Sequence, residues 1–436
     1  MSTNPIKMKE KKVLIIAYYF PPLGVAGVQR VNKFVKYLPL FGWKPYILTL
    51  KEVKYLAKDL ALLNDIPEEA EIIRTGSFDP LRVWFILGNI FKKSEGKDKP
   101  IKTRLIRILR LFSWLFFPDN KVGWIPFALM KGLSLCRREK MDLIFSSSPP
   151  PSLHLTGYLL KVLTGIPWIA DFRDPWTGYK LETLPTPVHL FLKRRIERLI
   201  VSNADRVITA NPAIKGEFEK RHPHSEKIFL VDQGYDEEDF GTYQSFSSEI
   251  FTIGYLGTFS PDCNPEPFFA SLGELINQGM IPKEEVKFVH VGLSVGIDSD
   301  RLIEKYKLKE VVQQKGYLSH PESLEQIGGI SLLLLVTSDH PLIFPAKVFE
   351  YIRLKKPILG IVPPKSEIAK FLTQMKVGKV VSPEDKKGIK EMLSSYFSCF
   401  KKGKLPLEVN EDKLKRFERR SLTFKLSSLL DEVIGV

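Results

Sequence analysis

A lysine and a glutamate three residues apart, just behind a proline, are the first residues in this chain that could do chemistry. They lie in Ile343–Gly360, IFPAKVFEYIRLKKPILG. Pro345 suits the first turn of a helix, where its missing N–H is not needed. The backbone N–H groups of Ala346 and Lys347 would then point at an anion, with the Lys347 ammonium beside them. Glu350, one turn further on, offers two acceptor oxygens, suited to a pair of sugar hydroxyls. A diphosphate at the helix start and a ribose diol at Glu350 together describe a nucleotide diphosphate. A plainer reading stands beside it: a proline-started helix, a solvated lysine, and a glutamate that favours the helix dipole. This stretch by itself leaves both open.

Two other places carry candidate residues. The short strand Trp168–Ala170 runs into DFRDPW, where Asp171 and Asp174 bracket Arg173. Carboxylates and a guanidinium at the carboxyl end of a strand are well placed for catalysis. The alternative is a salt-bridged turn. Near the N-terminus, the strand Lys12–Tyr18 leads into the loop Tyr19–Gly27, YFPPLGVAG, and a helix from Val28. Gly24 and Gly27 would let a phosphate approach the backbone, or simply make the turn. His154, alone on its helix, is more readily explained by packing than by catalysis. Asp298-Ser299-Asp300 precedes a helix, Arg301–Lys307, where aspartate is a common cap, so no metal site is expected there.

The elements that must position these residues alternate. Apolar runs at Lys12–Tyr18, Trp43–Leu50, Leu143–Ser147, Trp168–Ala170 and Ala204–Ala210 read as strands, and helical patterns lie between them. The pattern restarts at Thr252–Leu256, followed by the loop holding Thr258. It continues through Val286–Val291, Ile330–Val336 and Ile358–Val362. The polar stretch Phe240–Glu249 reads as a linker. The expected domains are 1–240 and 250–411, with a single amphipathic helix over Asp412–Ile434. The fold class is α/β, with two Rossmann-like doubly wound domains facing across a cleft.

Composition fits this plan. With 436 residues and 44% apolar content, the chain can form two or three cores. A net charge of +15 points to an anionic partner. Nucleic acid is not expected, because no zinc-finger or RNP-type pattern occurs and the basic residues are spread. The three cysteines, Cys136, Cys263 and Cys399, lie far apart, which suits a reducing cytoplasm. There is no signal-peptide layout and no apolar run of the roughly 20 residues a membrane span needs.

Several strings carry a resemblance. P-x-K-x-F-E-Y followed by K-P-I-L, the first-loop string Y-x-x-P-P with G and V-x-R, the G-W-K-P-Y-I-L-T strand and DFRDPW resemble the GT-B glycosyltransferases of retaining family 4. The resemblance implies a retaining, metal-independent glycosyltransferase with no cofactor. It would move a sugar from a nucleotide diphosphate sugar to a hydroxyl acceptor, a glycan or a lipid-linked one, in polysaccharide or glycolipid synthesis. It implies that Glu350 binds the donor ribose. Gly24, Gly27, Thr258, Ala346 and Lys347 would lie along the donor, and Asp171, Arg173 and Asp174 would supply the catalytic loop. The chain departs from the family at Leu342, where a second glutamate is usual, and at Pro345, where glycine is common. The loop after Leu256 lacks the usual arginine and lysine. These departures keep a second reading open: a non-catalytic GT-B-like protein that binds a nucleotide sugar.

The segment Lys92–Phe117 differs in character. Lys92, Lys93, Lys97, Lys99, Lys102, Arg104, Arg107 and Arg110 are set against only Glu95 and Asp98, and its second half interleaves arginine with Leu, Ile, Phe and Trp. A basic, aromatic-rich amphipathic helix can lie on an anionic membrane. It can equally be a domain helix packed on the sheet. The expected location is cytoplasmic. The first reading would add a peripheral position on the inner face of the plasma membrane.

Overall fold

The computed structural model describes residues 10–24, 27–51, 58–78, 117–178, 186–241, 243, 248–337, 342 and 344–436. The segment 92–116 lies outside them. The chain divides into two compact units, one of Met1–Asp232 with Leu422–Val436 and the other of Gln233–Ser421.

Among the described residues, the first unit is built on seven strands: β1 (Lys11–Ile16), β2 (Trp43–Leu50), β3 (Glu71–Thr75), β4 (Leu143–Ser148), β5 (Trp168–Phe172), β6 (Arg206–Thr209) and β7 (Ile228–Leu230). They form one sheet in the order β3-β2-β1-β4-β5-β6-β7, and every pair is parallel. Alternation splits β1 between two cores. Leu14 and Ile16 pack with Trp124, Leu153 and Trp168 on one face, and Val13 and Ile15 pack with Phe34, Val35 and Leu426 on the other. Helices on both faces explain why the central strands read as continuous apolar runs.

The second unit repeats the plan with β8 (Phe251–Leu256), β9 (Val286–Val291), β10 (Val312–Gln314), β11 (Leu332–Val336), β12 (Ile358–Ile361) and β13 (Gly378–Val381). The order is β10-β9-β8-β11-β12-β13, again all parallel. Leu333 and Leu335 face one core with Val348 and Ile352, while Leu332, Leu334 and Val336 face the other. In such sheets the chain reverses its winding beside the first strand, which opens a crevice at the strand carboxyl ends. Those ends are the loops after β1, β4 and β5 in the first unit, and after β8 and β11 in the second.

The C-terminal segment differs from the single helix expected. It forms Glu411–Lys415 and then Arg419–Ile434. The break has a backbone cause. The Tyr235 N–H donates to the Phe417 carbonyl (3.1 Å) and the Arg419 N–H donates to the Tyr235 carbonyl (2.8 Å), a strand-like bridge that removes residues 416–418 from the helix. Beyond it, Leu422, Leu426, Leu429 and Leu430 are buried in the core of the first unit. Among the described residues, no helix is long and apolar enough to cross a membrane.

Candidate functional site

In the second unit the site forms around the end of β8. The chain turns there at Gly257, whose φ of 125° is a conformation that other residues rarely adopt. The Lys347 side chain lies against this glycine, so a Cβ there would sit 2.5 Å from Nζ. Its ammonium also lies over the Tyr255 ring, 3.9 Å from the centroid, a cation–π contact. The helix carrying Lys347 runs Lys347–Arg353, and no side chain caps its first turn. It is pinned to β8 by the Leu256 N–H, which donates to the Tyr351 hydroxyl at 2.9 Å. The Gly257 carbonyl is fixed in turn by the His290 Nε2–H at 2.9 Å. Burial pushes the Lys347 pKa down to about 8, with the charges of Cys263 and Glu350 opposing it. An ammonium short of water in this way gains strongly from an arriving anion.

Glu350 stands one turn along the same helix. Its Oε1 lies 3.0 Å from His320 Nε2, and His320 Nδ1 lies 3.6 Å from Asp239 Oδ2. Burial pushes the Glu350 carboxyl up. His320, Arg419 and Lys347 more than offset this and hold it below the usual range, so it is ionised. Ala346 and Thr258 are exposed at the helix start and on the β8 loop, and the Thr258 carbonyl accepts from the Tyr255 hydroxyl at 3.3 Å. The second unit thus brings Thr258, Ala346, Lys347 and Glu350 to the carboxyl end of its sheet. The Asp298 side chain caps the helix Ser299–Lys305, accepting from the Arg301 N–H at 3.0 Å.

In the first unit β5 runs two residues further than the expected end at Ala170, so DFRDPW begins inside the strand, and its carboxylates part company. Asp171 is fully buried and paired with the equally buried Arg30, which reaches it through Nε (3.1 Å) and NH2 (2.9 Å). The Ser147 hydroxyl also donates to it at 2.7 Å. Arg30 continues to the Val231 and Asp232 carbonyls, at 2.9 and 2.8 Å. With both oxygens engaged inside the core, Asp171 holds the loop, and the reacting part expected of it is not open to it. Arg173 is nearly buried. It donates to the Ser148 carbonyl at 2.7 Å and to the Gly27 carbonyl. A Cβ on Gly27 would lie 2.6 Å from that guanidinium, so a side chain there would displace the arginine. Asp174 is exposed and is the carboxylate of the string that solvent and ligands can reach. Gly24 is half-buried in the loop after β1.

His154 is not a reacting group. It is fully buried, and its ring lies 4.2 Å from that of Phe172. Ser146 Oγ accepts from the Trp168 indole N–H and lies 2.8 Å from His154 Nδ1, so the hydroxyl joins the two rings. Burial pushes the His154 pKa down to about 3.

Residues 89–239 match the family model Glycosyltransferase Family 4. The fold matches sucrose-phosphate synthase from Thermosynechococcus elongatus with a TM-score of 0.68 at 14% identity, covering 98% of this chain and 99% of that one. The fold is that of the GT-B glycosyltransferases. The Anabaena protein HepE, solved with UDP and glucose, matches with a TM-score of 0.64 at 13% identity over 97% of this chain and 100% of its own. A glycosyltransferase from Rickettsia africae matches with a TM-score of 0.66 at 14% identity over 98% and 99%. No curated protein matches the sequence.

Three contributors to this GT-B chain escape a reading of the sequence. Arg30 lies inside the V-x-R string, but its partner is 141 residues away. Glu197 sits on an ordinary-looking basic helix, yet it is buried and accepts from the Thr177 N–H (2.9 Å) and hydroxyl (3.0 Å) and from Arg221 NH1 (2.9 Å), which ties down the end of the DFRDPW loop. His320 follows Ser319 at a helix start, and its partner Glu350 is 30 residues on.

Proposed function

We propose that the chain is a retaining glycosyltransferase that transfers a sugar from a nucleotide diphosphate sugar to a hydroxyl acceptor, a glycan or lipid-linked glycan, in cell-surface polysaccharide or glycolipid synthesis. The observation that carries this reading is the Lys347 ammonium on Gly257 and Tyr255, with the ionised Glu350 one turn away. Lys347 and the N–H groups at the start of its helix meet the diphosphate, and Glu350 accepts from the ribose hydroxyls. As the glycosidic bond breaks, negative charge grows on the departing diphosphate, and a preorganised cation stabilises it there. The scheme rests on this protein cation and involves no metal. Asp174 faces the acceptor side, on a loop held by the Asp171–Arg30 pair, Arg173 and Glu197. The likeness of residues 89–239 to family 4 supports retention of configuration.

The test is a thermal-shift screen of nucleotide sugars, UDP-glucose first because HepE was solved with UDP and glucose. A ligand that binds the folded state raises its apparent stability. Transfer assays with the stabilising donor follow. A donor that binds without transfer or hydrolysis would favour the non-catalytic binding reading, which Leu342 in place of a second glutamate supports.

A membrane-facing acceptor is part of the same proposal. On the helix Pro187–Asn203, Val188, Phe191, Leu192 and Leu199 are exposed beside the exposed Arg194, Arg195 and Arg198. Phe117, the last residue of the basic segment, has its ring 5.9 Å from that of His189 on this helix. Co-sedimentation with anionic liposomes that falls at high salt supports this. A chain that stays in the supernatant at low salt points to a soluble acceptor.

A further inference from the structure

We propose that His320 is a positioning residue for donor recognition: its imidazole, held between the carboxylates of Asp239 and Glu350, sets Glu350 for the ribose hydroxyls and makes donor affinity depend on pH. The proposal rests on the reading of Lys347 and Glu350 as the donor site.

The arrangement is built from rigid parts. His320 opens the helix His320–Gln326, whose start is fixed by a capping box: the Ser319 N–H donates to the Glu322 carboxylate at 2.8 Å. The imidazole therefore leaves a defined backbone position. Nε2 meets Glu350 Oε1 at 3.0 Å and Nδ1 faces Asp239 Oδ2 at 3.6 Å, and all three side chains are 17–20% exposed. A ring protonated on both nitrogens donates to Glu350 and presents its second N–H to Asp239. A neutral ring donates on one side only and turns a lone pair toward the other carboxylate. The protonated ring is thus the form that fixes Glu350, through a charge-assisted hydrogen bond.

The surrounding charges agree with this. Lys347 and Arg419 also act on Glu350, and Arg419 is itself held by Gln233 Oε1 at 3.3 Å. Glu237, two residues before Asp239, is taken by Arg353. Between Asp239 and Glu350, His320 is the side chain whose ordinary pKa lies nearest neutrality, and the Asp236 carboxylate stands within 4.8 Å of that of Asp239. Loss of its proton takes the charge from the Glu350 bond and turns a lone pair against one of the two carboxylates, so donor affinity falls as pH rises through the histidine range. Lys347 acts separately, because its own proton leaves around pH 8.

The experiment is calorimetric titration of the full chain with UDP, GDP and ADP, then of the variants with whichever binds and with its 2′-deoxy form. His320→Ala should weaken the ribonucleotide about tenfold or more, the scale of a lost charged hydrogen bond. It should also erase much of the preference over the 2′-deoxy form, which a merely structural role would not touch. His320→Gln keeps an N–H donor and cannot titrate. It should hold the affinity at pH 7 within about threefold and flatten the dependence between about pH 6 and 7.5, leaving the loss near pH 8 in place. If His320→Ala proves unstable in thermal melts, the His320→Gln pH profile decides. The proposal is overturned if His320→Ala keeps the ribose preference, or if His320→Gln keeps the parent's pH slope. If the parent binds none of the three nucleotides, the donor-site reading itself fails and this inference falls with it.

Discussion

Replacing Arg30 by methionine tests the architecture of the first unit most severely. The side chain is 1% exposed and makes two bonds to Asp171 and two to the carbonyls of Val231 and Asp232. Methionine fills much of the volume but leaves a buried carboxylate with only the Ser147 hydroxyl and its own surroundings. Removing one partner of a buried pair costs about 3–5 kcal/mol, chiefly through the charge left behind. The two lost carbonyl bonds fall within that range, because some of the loss is recovered when water relaxes toward the site. All six tryptophans lie before residue 177, within the first unit, so tryptophan fluorescence during urea unfolding reports that unit alone. Arg30→Met should lower its unfolding free energy by about 3–5 kcal/mol. In an Asp171→Asn background the same change should cost about 1–3 kcal/mol less, since contacting residues couple on that scale. A loss below about 1 kcal/mol in the wild-type background would mean that the pair does not hold the DFRDPW loop.

Two further predictions concern pH. Burial holds the Lys347 pKa near 8 against an ordinary 10.5, so the folded state gives up this proton before the unfolded chain does. Stability should therefore rise between pH 8 and 10.5, by about 3 kcal/mol in all, and Lys347→Met should remove that rise in urea unfolding followed by far-UV circular dichroism. A diphosphate bound there should take up a proton near pH 8–9, read from titrations in buffers of different ionisation enthalpy. His154 works in the acid range. Its folded pKa is near 3 against 6.5 unfolded, so the unfolded chain binds the proton first and stability is lost as pH falls below 6.5. The loss runs at about 1.4 kcal/mol per pH unit, and His154→Met should spare about 2 kcal/mol of it between pH 6.5 and 5 in fluorescence-monitored unfolding.

Strands that are buried on both faces were the legible part of this chain. Trp43–Leu50 and Val286–Val291 stand in the sequence with the bounds they have in the fold, because apolar side chains are needed on both sides of a covered sheet. The helix at Lys347 was legible too, from Pro345 at one end and Pro357 at the other. The networks around it were not. Pairing across 141 residues, as between Arg30 and Asp171, leaves no periodic trace, and the sequence makes Asp171 and Asp174 look alike when one is in the core and the other in solvent. The C-terminal helix pattern was equally blind to Tyr235, whose backbone takes three residues out of it. Gly27 reads as a phosphate-approach glycine, and the structure gives it a different neighbour, the Arg173 guanidinium.

The most direct test of the central claim is calorimetric titration of UDP-glucose, and of any other nucleotide sugar that stabilises the chain, against the parent and Glu350→Gln. The substitution keeps the size of the side chain and removes the charge that His320, Arg419 and Lys347 stabilise. A donor whose ribose is held by Glu350 should bind the variant about 1.5–3 kcal/mol more weakly, with the fold intact. Equal affinity in parent and variant would remove Glu350 from the donor site and contradict the account.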